Sequence, residues 1–382
     1  MVCKPVEWKS TVVNPTTLAE VRGGYLSQPT GDIYHRYRLL TSHDNSHFFI
    51  KLEPDSRHGL LTIMPVINKL QAIPFEIHRE GLSFILNNRD YLEECGILMP
   101  RFLASLNLKN ASDILRKIYA EDESIKNVCN FPQLLQILLQ RVQHARSESF
   151  ILTLASAYEG YQFYLPSFID FRGRIYRSGI LHFHERDLAR SLIVFAPNPY
   201  DSYDSEIDKR CRKILYCSAP FHYKSFQSYT ESNEWYNDNK SSFNTSDHSL
   251  IEFALHAKKP FQFIANVLSL ERKTDPSTIP VTQDASSSAY QIMSYFLLDV
   301  ELANRTNLIS IDDKIHDLYT KLIEELRDYL KVHLRSSLAS VVCPRIDRKL
   351  VKAIFMPLIY GKTVISTTKD IHNSLSSLLT NQ

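Results

Sequence analysis

The sequence predicts an α+β protein, predominantly helical, and three observations carry that reading. Apolar residues recur at steps of three and four in the longest patterned segments, as in Leu134, Leu135, Leu138, Leu139 and Val142. A period closer to two is confined to short stretches such as YLPSFIDFRGRIYRSGILHFH and IPVTQD. A chain of 382 residues, 44% of them hydrophobic, is long enough for two or three packed subdomains sharing an extensive core.

Taken in order, Thr62 to Ile85 reads as one or two helices interrupted by prolines. Asn130-Phe131-Pro132 opens a clearer helix, because Asn130 can cap the first turn and proline is tolerated there. A second helical stretch, Ser149 to Tyr161, follows it, so the pair is expected to form a helical hairpin ahead of the mixed segment. Between Pro199 and Ser249 the chain turns polar and is expected to be a surface elaboration with a short helical patch from Lys209 to Cys217. AKKPFQFIANVLSL predicts a helix beginning near Pro260, and IPVTQD a strand ending at Asp284. Ser286 to Ala303 then carries Ala289, Ile292, Met293, Phe296, Leu297 and Val300 at helical spacing. Helices from Asp313 to His333 and from Ile346 to about Tyr360 close the chain, with no internal repeat and no low-complexity tail.

Composition excludes some classes and leaves others open. With 44 Lys+Arg against 42 Asp+Glu the net charge is only +2, so a phosphate-binding surface must arise from local clustering of cations. The six cysteines are scattered without a CxxC pair, which predicts reduced intracellular thiols. The first residues, MVCKPVEWKS, have the pattern of neither a signal peptide nor a transit peptide, and no run of about 18 apolar residues predicts a membrane span. Ten glycines against 20 Tyr and 20 Phe, with abundant Asn, Lys, Ile and Ser, suggest an AT-rich genome such as that of an organelle or its plasmid.

Three constellations can carry chemistry. A carboxylate at the end of a strand, Asp284, followed by the small residues Ala285 to Ser288, leaves room for hydrated Mg²⁺ and its phosphates; the alternative is a helix N-cap. Arg348 and Lys352 are four apart on one helix face, with Tyr360 further along, a set that suits a triphosphate and a stacked base or sugar. A solvated basic face with a buried tyrosine has the same pattern. In DFRGRIY, Arg172 and Arg174 point the same way from an extended segment, Gly173 permits close backbone approach and Asp170 can hold one guanidinium. That fork suits a phosphodiester backbone, or else a structural salt-bridge network. His182 and His184 also share one side of a presumed strand, but no third ligand is near and a metal site is not expected there.

In this order the strings resemble the single-subunit DNA-directed RNA polymerases of bacteriophages and mitochondria. DFRGRIY, with Asp170, Arg172, Arg174 and Tyr176, is similar to that family's D-x-R-G-R-x-Y signature. PVTQDASSSAYQ resembles motif A, with Asp284 at the first metal-binding aspartate, and RKLVKAIFMPLIYG resembles motif B through Arg348, Lys352, Tyr360 and Gly361. Weaker similarity covers VCKPVEW with GGYLS, INKLQAIPFEIHRE and KKPFQFIA, while Ala219 to Phe226 and MPLIYGKT resemble polymerases of linear mitochondrial plasmids. Ala353 departs from the pattern where a second basic residue is common, and Pro357 removes a helix hydrogen bond before Tyr360.

The resemblance implies a right-hand polymerase fold. Residues 1–84 would end the N-terminal region, 85–160 form a helical thumb-like region, 161–304 the palm with a polar insert at about 199–249, and 305–382 the start of the fingers. It implies template-directed ribonucleotidyl transfer with two Mg²⁺ ions, a DNA template, nascent RNA and ribonucleoside triphosphates as partners, and a mitochondrial location. Asp284 and the Ala285 carbonyl would hold metal, Lys352 would neutralise charge and serve as general acid, Arg348 would hold phosphates, and Tyr360 would sit beside the sugar. Motif C, with the second catalytic aspartate, is expected a few hundred residues beyond motif B, and a large domain before Met1. On that expectation the chain is an internal fragment, inactive alone, or a remnant that at most binds nucleic acid. A family-A-like DNA polymerase shares the aspartate and the Arg-Lys-Tyr helix but not DFRGRIY.

Overall fold

The computed structural model describes residues 3–10, 21–24, 64–121, 130–169, 175–177, 180–197, 205–271, 278–312 and 314–379. They form two compact units: Met1–Ser225 with Trp235–Val281, and Phe226–Glu234 with Thr282–Gln382. Helices dominate both, and the strands are short, as the α+β reading expects.

The first unit holds all seven described strands. β1 (Val6–Ser10) and β2 (Val21–Gly24) pair antiparallel, and β3 (Pro74–Ile77) is the centre of a second sheet. β4 (Phe163–Tyr164) and β7 (Ile193–Phe195) flank β3 antiparallel, with Phe75 opposite both Phe163 and Phe195. Cross-strand aromatic pairs are the unit of sheet stability. Here Phe75, 1% exposed, lies 5.4 Å from the Phe195 ring and 5.2 Å from Phe183. β5 (Ser167–Ile169) and β6 (Ile175–Arg177) form a separate hairpin.

Helix α1 (Arg79–Asn87) follows β3 and buries Leu82, Phe84 and Ile85. The expected helical hairpin is instead one helix, α2 (Phe131–Tyr158). Nothing between Val142 and Ser149 breaks the helix, because Gln143, His144, Ala145, Arg146 and Glu148 are all compatible with it and only the apolar face shifts. Its start is as expected: Asn130 accepts from the Gln133 amide at 3.0 Å, the Gln133 side chain accepts from the Asn130 amide at 3.0 Å, and proline sits in the first turn.

The polar stretch after residue 199 is largely helical and part of the core. In α3 (Tyr229–Phe243) Tyr236 and Phe243 are at most 1% exposed, and Phe243 meets Phe263 at 5.6 Å. The surrounding Ser, Asn and Asp residues hid this helical stripe of aromatics. Phe263 belongs to α4 (Pro260–Glu271), in which every residue from Phe261 to Leu270 is buried. A helix buried all round belongs at the centre of a domain. Its first amides are capped from outside, since Asp187 accepts from the Phe261 and Gln262 amides at 2.7 and 3.2 Å.

The second unit contains α5 (Ser288–Leu297), α6 (Leu318–His333), α7 (Arg348–Leu358) and α8 (Val364–Leu379). α7 buries Leu350, Val351 and Ile354 against Tyr319 and Ile346, with Leu322, Ile323 and Leu326 packed alongside. Two expectations fail here. Residues 280–285 form no strand, because no other segment pairs with them among the described residues. The helix expected from Ser286 to Ala303 also breaks: Leu298 adopts φ 53°, and a short helix, Val300–Arg305, restarts with Asp299 accepting from the Leu302 amide.

Candidate functional site

Asp284 lies in an extended loop, exposed, and no cation or hydrogen-bond donor meets its carboxylate among the described residues. It is not the cap of α5. The residue before that helix is Ser287, at φ 64° with no side-chain cap bond. Two hydrogen bonds hold the loop just after Asp284. The Asn307 side-chain amide donates to Ser286 Oγ at 3.0 Å, and Ser287 Oγ donates to the Tyr319 hydroxyl at 3.0 Å. Asn307 itself is fixed by His316, whose amide it accepts at 2.7 Å and whose carbonyl it donates to at 2.8 Å. The Ala285 carbonyl accepts the Ser287 amide at 3.0 Å, which leaves its second lone pair available.

Tyr319, 6% exposed, joins this loop to α7. The Arg348 guanidinium is 5.6 Å and the Lys352 ammonium 5.8 Å from the centroid of its ring. Asp347 caps α7 by accepting the Leu350 amide at 2.7 Å, so the buried face Leu350-Val351-Ile354 turns Arg348 and Lys352 outward together. α7 is further fixed by Arg327 on α6, which donates to the Cys343 and Ile346 carbonyls at 3.0 and 2.7 Å, and by Tyr290 on α5, which donates to the Phe355 carbonyl at 2.8 Å.

The two cations differ in what they touch. Arg348 donates to Asp317 through Nε at 2.5 Å and Nη2 at 3.3 Å, leaving Nη1 available. Burial pushes the Asp317 carboxyl up, but hydrogen bonds from Arg348 and Thr320 outweigh it and hold the group below the ordinary carboxylate range. Asp317 raises Arg348 in return. Lys352 has no carboxylate within ion-pair distance among the described residues. A loosely held ammonium thus lies 5.8 Å from the ring centroid of the tyrosine whose hydroxyl accepts from Ser287, three residues after the unpaired Asp284.

Tyr360 and Gly361 follow the end of α7. α7 ends at Leu358, so Tyr360 is on the following turn and not on the helix face shared by Arg348 and Lys352, and it is 75% exposed. The break follows from Pro357, which donates no hydrogen bond, and from Gly361 at φ 83°, where a side chain would be strained. Of the DFRGRIY string, Asp170, Arg172, Gly173 and Arg174 fall outside the described residues. Tyr176 lies in β6 of the first unit, its ring 5.6 Å from His184. The next residue, Arg177, donates to the Leu70 and Leu165 carbonyls and to Ser167 Oγ at 2.8 to 2.9 Å, a structural anchor. His182 and His184 sit on a turn, not a strand, and His182 Nδ1 accepts the His184 amide at 3.0 Å.

The sequence reading missed the roles of Tyr319 and Asn307. Asp317 both caps α6 and grips Arg348. Tyr319 gave no signal, since a ring shared by a serine 32 residues upstream and two cations about 30 residues downstream has no local pattern.

The chain has relatives in sequence. Residues 219–382 match the DNA-dependent RNA polymerase family. The class is the single-subunit DNA-directed RNA polymerases, and the chain is a relative of them. Across 98% of its length it is 32% identical to a probable DNA-directed RNA polymerase of Zea mays, of which it spans 38%. It is 28% identical over 77% of its length to a probable DNA-directed RNA polymerase of Agaricus bitorquis, spanning 26% of that protein. Over 59% of its length it is 26% identical to the mitochondrial DNA-directed RNA polymerase of Schizosaccharomyces pombe, spanning 20% of it. The chain therefore spans about a fifth to two fifths of these relatives. No helix among the described residues is long and apolar enough to cross a membrane.

Proposed function

We propose that this chain supplies the nucleotide-binding part of a DNA-directed RNA polymerase, in which Asp284, Arg348 and Lys352 serve one ribonucleoside triphosphate. The observation that carries this reading is the gathering of the Asp284 loop and both cations around Tyr319 within one unit. The names of the relatives favour ribonucleotide over deoxyribonucleotide transfer. The right-hand assignment, with its thumb, palm and fingers boundaries, belongs to the same proposal, as does an organellar, mitochondrial location.

In the reaction the RNA 3′-oxygen forms a bond to the α-phosphorus, and the bond from that phosphorus to the bridging oxygen of the β-phosphate breaks, releasing pyrophosphate. Lys352 would offset the negative charge that builds on the leaving phosphates and give a proton to them. Arg348, tethered by Asp317 through two nitrogens, offers Nη1 to a phosphate oxygen. Tyr360 and Gly361, on the turn after α7, would stand beside the sugar, and Asp170, Arg172, Arg174 and Tyr176 would contact the nucleic-acid backbone.

Magnesium is commonly held by one or two carboxylates together with substrate phosphates. No cluster of three His, Cys, Asp or Glu able to hold a metal ion occurs among the described residues. The exposed Asp284 carboxylate and the Ala285 carbonyl fit an ion carried in on a triphosphate better than a resident one. When bound, Mg²⁺ would lower the charge on the phosphates and activate the attacking oxygen.

Binding of a fluorescent ribonucleoside triphosphate, with and without Mg²⁺, tests the proposal. The wild-type chain should bind more tightly with Mg²⁺, and Asp284→Ala should abolish that increment while leaving the metal-free affinity close to wild type. An increment that survives in the variant would count against Asp284 as the metal anchor.

A further inference from the structure

A left-handed residue just past a helix end is ordinarily glycine, with asparagine the next choice. Asn307, at φ 57°, takes that place after the short helix Val300–Arg305, where the Leu308 amide donates to the Ala303 carbonyl at 2.9 Å. Ending that helix needs only the backbone. The carboxamide does something else, because its three hydrogen bonds reach two other segments. Nδ2 donates to Ser286 Oγ at 3.0 Å and to the His316 carbonyl at 2.8 Å, and Oδ1 accepts the His316 amide at 2.7 Å. One side chain thus clamps the Asp284 loop to the start of α6.

The same loop is fixed again one residue on. Ser287 holds φ 64°, its carbonyl accepts the Tyr290 and Gln291 amides at 2.9 and 3.1 Å, and its hydroxyl donates to Tyr319. A left-handed serine persists where its surroundings over-determine it. The Asp284 carboxylate is exposed, yet the backbone that carries it is tied down at the two serines that follow, through His316 and Tyr319. Rigidity of that kind discriminates between cations. Mg²⁺ demands near-octahedral oxygens at about 2.0–2.1 Å, whereas Ca²⁺ accepts about six to eight oxygens at about 2.3–2.6 Å in adaptable geometry. A carboxylate held in one place favours the smaller, stricter ion, and one on a loose loop serves either.

We propose that Asn307 is a positioning residue that makes Asp284 selective for Mg²⁺ over Ca²⁺ on a bound triphosphate. The inference rests on the nucleotide site proposed above, so the test separates the two. Binding of a fluorescent ribonucleoside triphosphate is measured without metal, with Mg²⁺ and with Ca²⁺, for wild type, Asp284→Ala, Asn307→Gly and Ser286→Ala. Glycine keeps the left-handed backbone and removes the carboxamide, whereas Ser286→Ala removes only the bond to the loop and leaves Asn307 on His316. Amide hydrogen exchange of residues 284–288, without nucleotide or metal, reports the loop directly. Both Asn307→Gly and Ser286→Ala should bind metal-free nucleotide as wild type does and exchange faster in the loop. The gain in affinity from Mg²⁺ should fall about 5- to 10-fold, the size of one lost hydrogen bond, and the gain from Ca²⁺ by less than about 2-fold. The proposal is overturned, with the nucleotide site left standing, if the metal gain needs Asp284 yet both variants keep the wild-type preference for Mg²⁺, lose the two gains equally, lose metal-free affinity as well, or exchange as wild type does. A wild-type chain with no metal gain, or a gain that survives Asp284→Ala, would overturn both.

Discussion

Replacing Lys352 by alanine is expected to weaken binding of a Mg²⁺-bound ribonucleoside triphosphate about 10- to 150-fold, the size of a lost charge-assisted hydrogen bond of about 1.5 to 3 kcal/mol. The effect should be large because the Lys352 ammonium has no carboxylate partner among the described residues to keep it occupied. The Tyr319 ring, its centroid 5.8 Å away, orients a cation without neutralising it. Arg348→Ala should also weaken binding in the same assay, in part because it releases Asp317, whose freed carboxylate repels phosphate. Arg348→Ala/Asp317→Asn should therefore recover part of the loss. Equal affinities for wild type and Lys352→Ala would remove that residue from the site.

The second large effect concerns stability. Glu148 on α2 is buried, accepts the Met99 amide at 2.8 Å and faces His144 at 3.0 Å. Burial pushes its carboxyl up to about 7, against the pull of the Met99 hydrogen bond and of Arg186 and Arg89, while Glu93 adds to the rise. A carboxyl whose folded value is raised binds its proton more tightly in the folded state. Its contribution is thus most favourable below the unfolded value near 4.5, and stability is lost as pH climbs from there to about 7. The loss is on the order of 3 kcal/mol. Glu148→Gln keeps an acceptor for Met99 and carries no charge, so it should match wild type near pH 4.5 and exceed it by that order at pH 8. Buried histidines such as His78, lowered to about 4, slope the other way, so the difference between the two proteins is the quantity to follow. Parallel pH profiles for wild type and Glu148→Gln would show that the carboxyl is not strained by burial.

Much of the fold was legible in the sequence wherever a local rule sufficed. The Asn130 cap and the start of α4 at Pro260 each follow from a few adjacent residues. What failed depended on partners distant in sequence. IPVTQD has strand composition, but a strand needs a neighbour, and none pairs with it among the described residues. Residues 286–303 have an unbroken helical pattern, yet the helix stops where Leu298 turns left-handed, and its apolar face is left outside. The polar stretch after residue 199 was misjudged because a few aromatics at helical spacing, Tyr236 and Phe243 among them, count for more in packing than the many serines and asparagines around them.

Of the candidate site, the charged members can be named from the sequence, and what aligns them cannot. Asp284, Arg348 and Lys352 stand out by residue type and spacing, whereas Tyr319, Asn307 and Ser287 matter only through contacts that the fold creates. Tyr360 was placed on the wrong element because helical projection was carried through Pro357, where the helix is already ending.

The central claim is that Asp284 and Lys352 act on one bound triphosphate, and a double-mutant cycle on its Mg²⁺-dependent binding tests it most directly. Affinities are measured for wild type, Asp284→Ala, Lys352→Ala and the double variant. Two groups that share a ligand should show a coupling energy of at least about 0.5 to 1 kcal/mol. A double variant whose loss is the plain sum of the two single losses would place the two residues in separate sites and contradict the account.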